Sequence, residues 1–280
     1  MLNIYIVIPA HNEEAFLAKT LRSLCEQTVL PKKLVVVNDN STDETQNIID
    51  TFALEHTFIT GVSGISESKH LPGAKVVEAF YKGMETVDEN FDVICKFDAD
   101  LVFPEDYLQK ISEVFIQNKN CGIAGGHCYI QKNENWVIEG LTNKDHIRGA
   151  LKAYRKACFS QIGGLKRTMG WDTVDELLTQ YHGWEVCTLD NLHVKHLKPT
   201  GATYDGIAGM KQGQAFKKMR YGFLLTVIAS VKLGWKKRSL AYVWNCLRGY
   251  FSIKNDYIVT PSEGKFIRKL RWNKIRKKFL

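Results

Sequence analysis

The sequence predicts an α/β fold in which a mostly parallel sheet is flanked by helices. Short apolar runs of strand length alternate with segments whose apolar residues recur at helical spacing. The runs are apolar throughout, which is typical of parallel strands buried on both faces. A hydrophobic fraction of 45% in 280 residues provides enough apolar material for one large domain with an appendage.

The predicted strands are four apolar runs, at residues 3–8, 34–37, 92–97 and 122–130. The first helix follows from Leu17, Leu21 and Leu24, and Pro31 ends that pattern. Ser41 and Glu44 have the spacing of a capping box, so the second helix is expected to start at Ser41. A third helix, opened by Pro104, buries Leu108, Ile111 and Phe115.

Polar residues follow three of these strands, at 11–14, 38–43 and 98–100. In a parallel sheet the carboxyl ends of the strands meet at one edge, and ligands bind outside that edge. The sequence therefore predicts a ligand site built from the three segments.

Asp98 and Asp100 are the strongest indication of a cation site at this edge. Two carboxylates separated by one residue can reach one hard cation, and Mg²⁺ or Mn²⁺ prefers such oxygen ligands. A diphosphate would complete the coordination. The competing interpretation is that the two acids only cap and precede the helix after Pro104.

Asp39 lies in the stretch VVVNDNSTDET. Its carboxylate could accept hydrogen bonds from a base N–H or a ribose hydroxyl, which suits a nucleotide. The alternative is that the whole segment turns the chain and caps the next helix. We assign the capping role to Ser41, which favours a binding role for Asp39.

The stretches IVIPAHNEE, VVVNDNSTDET and FDAD, in this order, resemble family 2 glycosyltransferases. The resemblance covers residues 3–201, and it departs at His11, where Tyr is frequent, and at Ala99 between the two acids. It implies the GT-A fold and an inverting, sugar-nucleotide-dependent enzyme that uses Mg²⁺ or Mn²⁺. The implied nucleotide-sugar contacts are Pro9, Ala10, Asn12, Glu13, Asp39, Lys75 and Asp98, and the implied metal contacts are Asp98, Asp100 and His196.

The acceptor side of the site is expected around Gly170-Trp171-Asp172. An inverting transferase needs a carboxylate that removes the proton of the acceptor hydroxyl. Asp172 fits the family's usual spacing before Gly183-Trp184, whereas Asp175 and Glu176 look more like the family's paired acids. Asp172 or Asp175 is therefore the expected base, with Glu176 in support. The competing explanation is that acids favour the N-terminus of a helix, and it would account for one of the three.

The charge is divided unevenly along the chain. Residues 211–280 hold 18 Lys and Arg against 2 acids, whereas residues 1–210 hold 20 against 28. This predicts a GT-A domain at 1–210 and a basic helical extension at 211–280. The basic, aromatic segment 265–278 suggests contact with an anionic membrane surface, while no nucleic-acid-binding module is recognisable. We expect a cytoplasmic protein, peripheral on the inner face of the membrane.

The expected function is transfer of a single sugar to a glycan or lipid-linked acceptor in cell-envelope or polysaccharide synthesis. Two other functions remain open. A nucleotidyltransferase shares a related sheet but needs a Gly-rich basic loop after the first strand, which PAHNEE does not provide. A protein of the same fold that binds nucleotide or glycan without turnover would keep these motifs but transfer nothing.

Overall fold

The computed structural model describes residues 1–64, 74–140, 145–198 and 207–277, and it confirms the α/β fold. The described strands are β1 (Ile4–Ala10), β2 (Lys33–Asp39), β3 (Ile59–Gly64), β4 (Val93–Phe97), β5 (Leu101–Val102), β6 (Cys121–Lys132), β7 (Asn135–Ile138), β8 (Leu151–Arg155) and β9 (Glu185–His196). The described helices are α1 (Leu17–Cys25), α2 (Thr45–Glu55), α3 (Ala74–Met84), α4 (Tyr107–Gln117), α5 (Lys156–Gln161), α6 (Trp171–Tyr181), α7 (Ile207–Lys218), α8 (Phe223–Lys236), α9 (Leu240–Ser252) and α10 (Pro261–Arg276).

The described strands form one mixed sheet in the order β3-β2-β1-β4-β8-β6-β9-β5, with β7 paired to β6. The first four are parallel neighbours, as the apolar runs predict. The second half adds antiparallel pairs, because β8 runs against both β4 and β6, while β6 and β9 are parallel. The edge strand β3 is only partly buried, so it lacks the apolar run that would predict it.

The central strands are buried. Every residue of β4 is buried, as are five consecutive residues of both β1 and β2. Helix α4 covers the sheet with the predicted residues Leu108, Ile111 and Phe115. Burial of these side chains, at roughly 25 cal/mol per Å² of apolar surface, holds the strand ends in a fixed arrangement.

The capping box at Ser41 is a wrong prediction. Helix α2 begins at Thr45, and its N-cap residue Glu44 makes no side-chain capping bond. The Ser41 hydroxyl instead accepts a hydrogen bond from the backbone N–H of Asn12 at 2.9 Å. The Ser41 hydroxyl therefore binds the loop after β1 and not, as the local spacing predicted, the N-terminus of α2.

The C-terminal helices form a layer of their own. Helices α7 and α9 pack backbone to backbone, since a Cβ on Gly213 would lie 1.8 Å from the carbonyl oxygen of Cys246. Helix α10 contacts α6, where the rings of Phe266 and Tyr181 are 5.5 Å apart. Among the described residues, the helices are too short or too polar to span a membrane.

Candidate active site

Two loops at the carboxyl edge are tied together by hydrogen bonds. Strands β2, β1 and β4 are neighbours, so the residues after them lie side by side. The Asn12 side-chain oxygen accepts from the N–H of Thr42 at 2.8 Å, and the N–H of Glu13 donates to the Thr45 hydroxyl at 2.9 Å. Asn12 has a φ of 53°, a left-handed conformation that Asn tolerates better than most residues. The hydrogen bonds between polar residues therefore fix the loop after β1 relative to the loop after β2.

The nucleotide-side residues occupy different parts of this edge. Pro9 is half-buried and Ala10 fully buried at the end of β1, and Asp39 is half-buried at the end of β2. The ring Nδ1 of His11 lies 2.6 Å from the carbonyl oxygen of Asp39. Lys75 lies in the first turn of α3, half-buried, directly after a segment outside the described residues.

Three carboxylates gather where β1 and β4 end. Asp100 is 7% exposed, and its Oδ1 is buried with no hydrogen-bond partner among the described residues. The same holds for Oε2 of Glu13, whose other oxygen lies 3.1 Å from Nζ of Lys198. Burial raises the pKa of Glu13; Lys198 opposes this shift, and the charges of Asp100 and Asp98 reinforce it. Two buried carboxylate oxygens without donors are a costly arrangement unless a ligand occupies it.

His196 reaches this cluster through strand pairing. Leu101 of β5 lies opposite His196 of β9, which brings the imidazole beside the preceding Asp100. Its Nε2 is 3.3 Å from Oδ2 of Asp100, and its Nδ1 is 2.9 Å from Oε2 of Glu139. Burial lowers the pKa of His196, but these two carboxylates outweigh it and raise the value to about 9. Ligand atoms of Cys128, Glu139 and His196 all lie within 4.8 Å of one another.

The donor set fits a divalent cation. Asp98 and Asp100 offer hard oxygen ligands, and Oδ1 of Asp100 has no described donor. His196 stands next to Asp100, and its Nε2 could ligate once a bound cation displaced the proton that Asp100 and Glu139 stabilise. Carboxylates with a single imidazole suit Mg²⁺ or Mn²⁺ better than thiolate-preferring metals.

Two buried lysines connect this edge with the second half of the site. Lys96 of β4 and Lys152 of β8 are paired across the strands, which places both side chains on the same face of the sheet. Lys96 is 2% exposed and pairs with Asp98. Lys152 is fully buried, 2.7 Å from Asp175 and 3.2 Å from Glu176. The strands thus link Asp98 and Asp100 to the acids of α6.

The acids of α6 differ in exposure. The Asp172 side chain is 30% exposed, 3.5 Å from Nε2 of His146. Asp175 is 1% exposed and is held by Lys152 and by the hydroxyl of Tyr154. Glu176 accepts from the N–H of Ile147 at 2.9 Å and lies 2.8 Å from Nδ1 of His146. Of the three acids, Asp172 has the most exposed side chain.

Neighbouring charges set the pKa values of this cluster. Burial alone would lower the pKa of His146, but Asp172 and Glu176 outweigh it and raise the value to about 9. Burial likewise opposes ionisation of Asp172, yet His146 and Lys152 lower its pKa to about 2. For Asp175 burial prevails over Lys152, and with Glu176 raises its pKa to about 7. Asp172 is therefore an ionised carboxylate at neutral pH.

A sequence profile described as "Glycosyl transferase family 2" matches residues 5–164, more than half of the chain. The chain belongs to this family. The match ends before α6, so it covers Asp98 and Asp100 but not Asp172.

Two curated proteins are similar over parts of the chain. A "Probable glycosyltransferase YdaM" from Bacillus subtilis is 37% identical over 98 residues, which is 34% of this chain and 22% of that protein. A "dTDP-rhamnosyl transferase RfbG" from Shigella flexneri is 29% identical over 150 residues, which is 53% of this chain and 50% of that protein. The chain thus spans about a fifth and about half of their lengths.

Solved structures agree on the fold. The mannosyltransferase PcManGT from Pyrobaculum calidifontis, in complex with GDP-Man and Mn²⁺, superposes with a TM-score of 0.58 at 14% identity. The superposition covers 97% of this chain and 80% of that chain. TarS 1–349 from S. aureus in complex with UDP-GlcNAc gives 0.56 at 16% identity, covering 81% and 66%. These likenesses confirm the GT-A fold that the motifs predict.

Four charged residues of this region were not predicted from the sequence: Lys96, Lys152, His146 and Glu139. Lys96 had a detectable signal, because it interrupts the otherwise apolar strand β4, whereas Lys152 lies in β8, which also contains Arg155. A charged residue at such a position is buried only when it has a partner. His146 and Glu139 lie in irregular segments without a motif, and only the fold brings them to Asp172 and His196.

Proposed function

We propose that this protein is an inverting glycosyltransferase that moves one sugar from a nucleoside-diphosphate donor to a hydroxyl acceptor. The observation that carries the proposal is the pair of buried, unpartnered oxygens on Glu13 and Asp100, beside Asp98 and His196. These groups would hold a divalent cation and the donor diphosphate, with Pro9, Ala10, Asn12, Asp39 and Lys75 around the nucleotide. Bound there, the cation would offset the charge of the leaving diphosphate.

Asp172 is the base in this proposal. Its carboxylate is ionised and its side chain is the most exposed of the three acids of α6, whereas Asp175 is enclosed by Lys152 and Tyr154. Asp172 would take the proton of the acceptor hydroxyl while that oxygen bonds to the anomeric carbon. The bond to the diphosphate breaks on the opposite face, which inverts the configuration. Asp175 and Glu176 position α6 through Lys152 and His146.

The acceptor is proposed to be a glycan or a lipid-linked sugar in cell-envelope or polysaccharide synthesis. The support is the basic C-terminal part of the chain, which suits an anionic membrane surface on its inner, cytoplasmic face. The sequence predicts this contact for segment 265–278, of which 265–277 lies within the described residues. There Ile267 is buried and Phe266 packs on Tyr181, so α10 offers mainly its exposed cations.

The test is release of nucleoside diphosphate from UDP-, GDP- and dTDP-sugars, with and without Mn²⁺. We expect metal-dependent release from one donor and a loss of about 100-fold or more in Asp100→Asn. Asp106→Asn is the matched control, because Asp106 precedes α4 and pairs with Lys110 at the surface. Tight nucleotide binding without release, even with candidate glycan acceptors, would favour a binding protein without turnover. Absence of both binding and release would refute the proposal.

A further inference from the structure

Helices α8 and α9 carry exposed apolar stripes. On α8, Leu224, Ile228, Val231 and Trp235 follow one another at helical spacing and lie on one face, with exposed fractions of 60%, 36%, 52% and 86%. On α9, Leu240, Trp244 and Phe251 share one face in the same way, with exposed fractions of 89%, 65% and 65%. We call these seven residues, together with Phe223, the hairpin surface.

The two stripes belong to one structural unit. Helices α8 and α9 pack against each other, and a Cβ on Gly234 would lie 2.2 Å from the Val243 side chain. The rings of Phe223 and Phe251 are 5.6 Å apart where α8 begins and α9 ends. Residues 237–239 connect the other ends. The buried faces, which include Ser230 on α8 and Cys246 on α9, point into the protein, so the stripes cover the outer side.

The charges around the hairpin surface have one sign. Residues 223–252 contain five Lys or Arg and no Asp or Glu. Four of the five are exposed close to Trp235: Lys232, Lys236, Lys237 and Arg238. An apolar stripe flanked by cations only is typical of helices that lie in the interface of an anionic membrane.

We propose that the hairpin surface binds an anionic lipid bilayer, with α8 and α9 lying in the plane of its interface. Charge decides between this occupant and a second copy of the chain. A symmetric pair would bring ten Lys and Arg together with no acid from the same helices, whereas anionic headgroups supply the counter-charge. Trp235 and Trp244 suit the interface because indole rings are amphipathic.

The hairpin is attached to the acceptor side of the site. Helix α10 contacts α8's N-terminal flank through Arg271, which donates to the Tyr221 hydroxyl at 3.0 Å. The same helix packs on α6, and Lys274 binds Asp145 at 2.9 Å, next to His146. Bilayer contact through α8 and α9 would therefore bring α6, which carries Asp172, towards the membrane. A lipid-linked acceptor would then be within reach, a consequence that rests on the proposed function.

Co-sedimentation with vesicles tests this proposal without any donor or acceptor. Wild type should bind vesicles of phosphatidylcholine and phosphatidylglycerol in equal parts, and bind phosphatidylcholine alone weakly. Trp235→Ala/Trp244→Ala should lower the partition coefficient about tenfold or more, since two interfacial rings are removed. Lys236→Glu/Lys237→Glu should lower it comparably, and only with phosphatidylglycerol present.

Matched control variants distinguish vesicle binding through the hairpin surface from nonspecific adsorption. Leu240→Ala should weaken binding, whereas Leu54→Ala on α2 should not, although both leucines are 89% exposed. Lys119→Glu, at an exposed site after α4, is the charge control. Melting temperatures check folding. The proposal is overturned if wild type ignores anionic vesicles, if the hairpin variants bind like wild type, or if sedimentation shows a dimer that Trp235→Ala/Trp244→Ala dissociates.

Discussion

At the scale of single residues, the site depends on charged side chains that the fold keeps out of water. Lys96 and Lys152 are buried next to one another on neighbouring strands, and each neutralises acids of a different half of the site. A buried ion pair contributes little net stability, yet loss of one partner is strongly destabilising. Asp175, which is paired with Lys152, and the more exposed Asp172 should therefore respond differently to substitution.

Asp175→Asn and Asp172→Asn should separate a positioning residue from a catalytic one. Asp175→Asn removes the 2.7 Å partner of the fully buried Lys152 and leaves it only Glu176 at 3.2 Å, so the free energy of unfolding should fall by about 3 kcal/mol. Asp172→Asn should cost somewhat less, about 2 kcal/mol, because it removes the carboxylate whose pKa His146 and Lys152 lower to about 2, and it should lower kcat about 10²- to 10⁴-fold. Urea denaturation and single-turnover rates provide the two readouts. The reverse pattern would make Asp175 the base.

His146 should make stability depend on pH. Its pKa in the folded protein, about 9, is above the ordinary 6.5, so its contribution is complete below pH 6.5 and is lost as pH rises through 9. The free energy of unfolding of wild type should exceed that of His146→Gln by about 3 kcal/mol at the acid end, and less at pH 9. A difference that stays constant over this range would show that His146 is not held as a cation.

At the scale of elements, the N-terminus of α6 is positioned by a glycine. A Cβ on Gly149 would lie 2.7 Å from the Trp171 ring and 3.1 Å from Cβ of Asp172. Gly149 therefore allows the loop before β8 to approach the start of α6. The sequence could predict α6 and its acids, but a close backbone approach has no local signal.

Gly149→Ala should displace α6 and its carboxylate. We expect kcat/KM to fall more than about tenfold and stability to fall by about 1–3 kcal/mol, since Trp171 must shift. Gly140→Ala is the control, because no heavy atom of the described residues lies within 4 Å of a Cβ built there. Steady-state kinetics and thermal melts of both variants measure these two effects. Unchanged kinetics in Gly149→Ala would mean that the position of Asp172 is not critical.

The wrong capping prediction belongs to the same scale. Ser41 has the spacing of a capping residue, but its hydroxyl accepts a hydrogen bond from the N–H of Asn12 on another loop and does not cap α2. Local pattern correctly predicted β1, β2, β4 and β6 and the helix stripe of α4, because burial of apolar residues determines these elements. It could not predict which loop would satisfy which donor, since that depends on contacts 30 residues apart.

At the scale of the whole molecule, strand order turns scattered motifs into one site. The motifs after β1, β2 and β4 could be predicted to meet, because parallel neighbours share an edge. The antiparallel second half could not, and it is what places Lys152, Glu139 and His196. The division at residue 210 stays a prediction, and contacts between α10 and α6 link the two parts.

The central claim is that Asp98, Asp100 and Glu13 hold a nucleoside diphosphate together with a divalent cation. Calorimetric titration of UDP, GDP and dTDP into wild type, Asp100→Asn and Asp106→Asn, each with and without Mn²⁺, tests it most directly. One nucleotide should bind wild type and Asp106→Asn at least about tenfold more tightly with Mn²⁺, and Asp100→Asn should lose that gain. Equal affinity with and without Mn²⁺ in wild type, or an undiminished gain in Asp100→Asn, would contradict the claim.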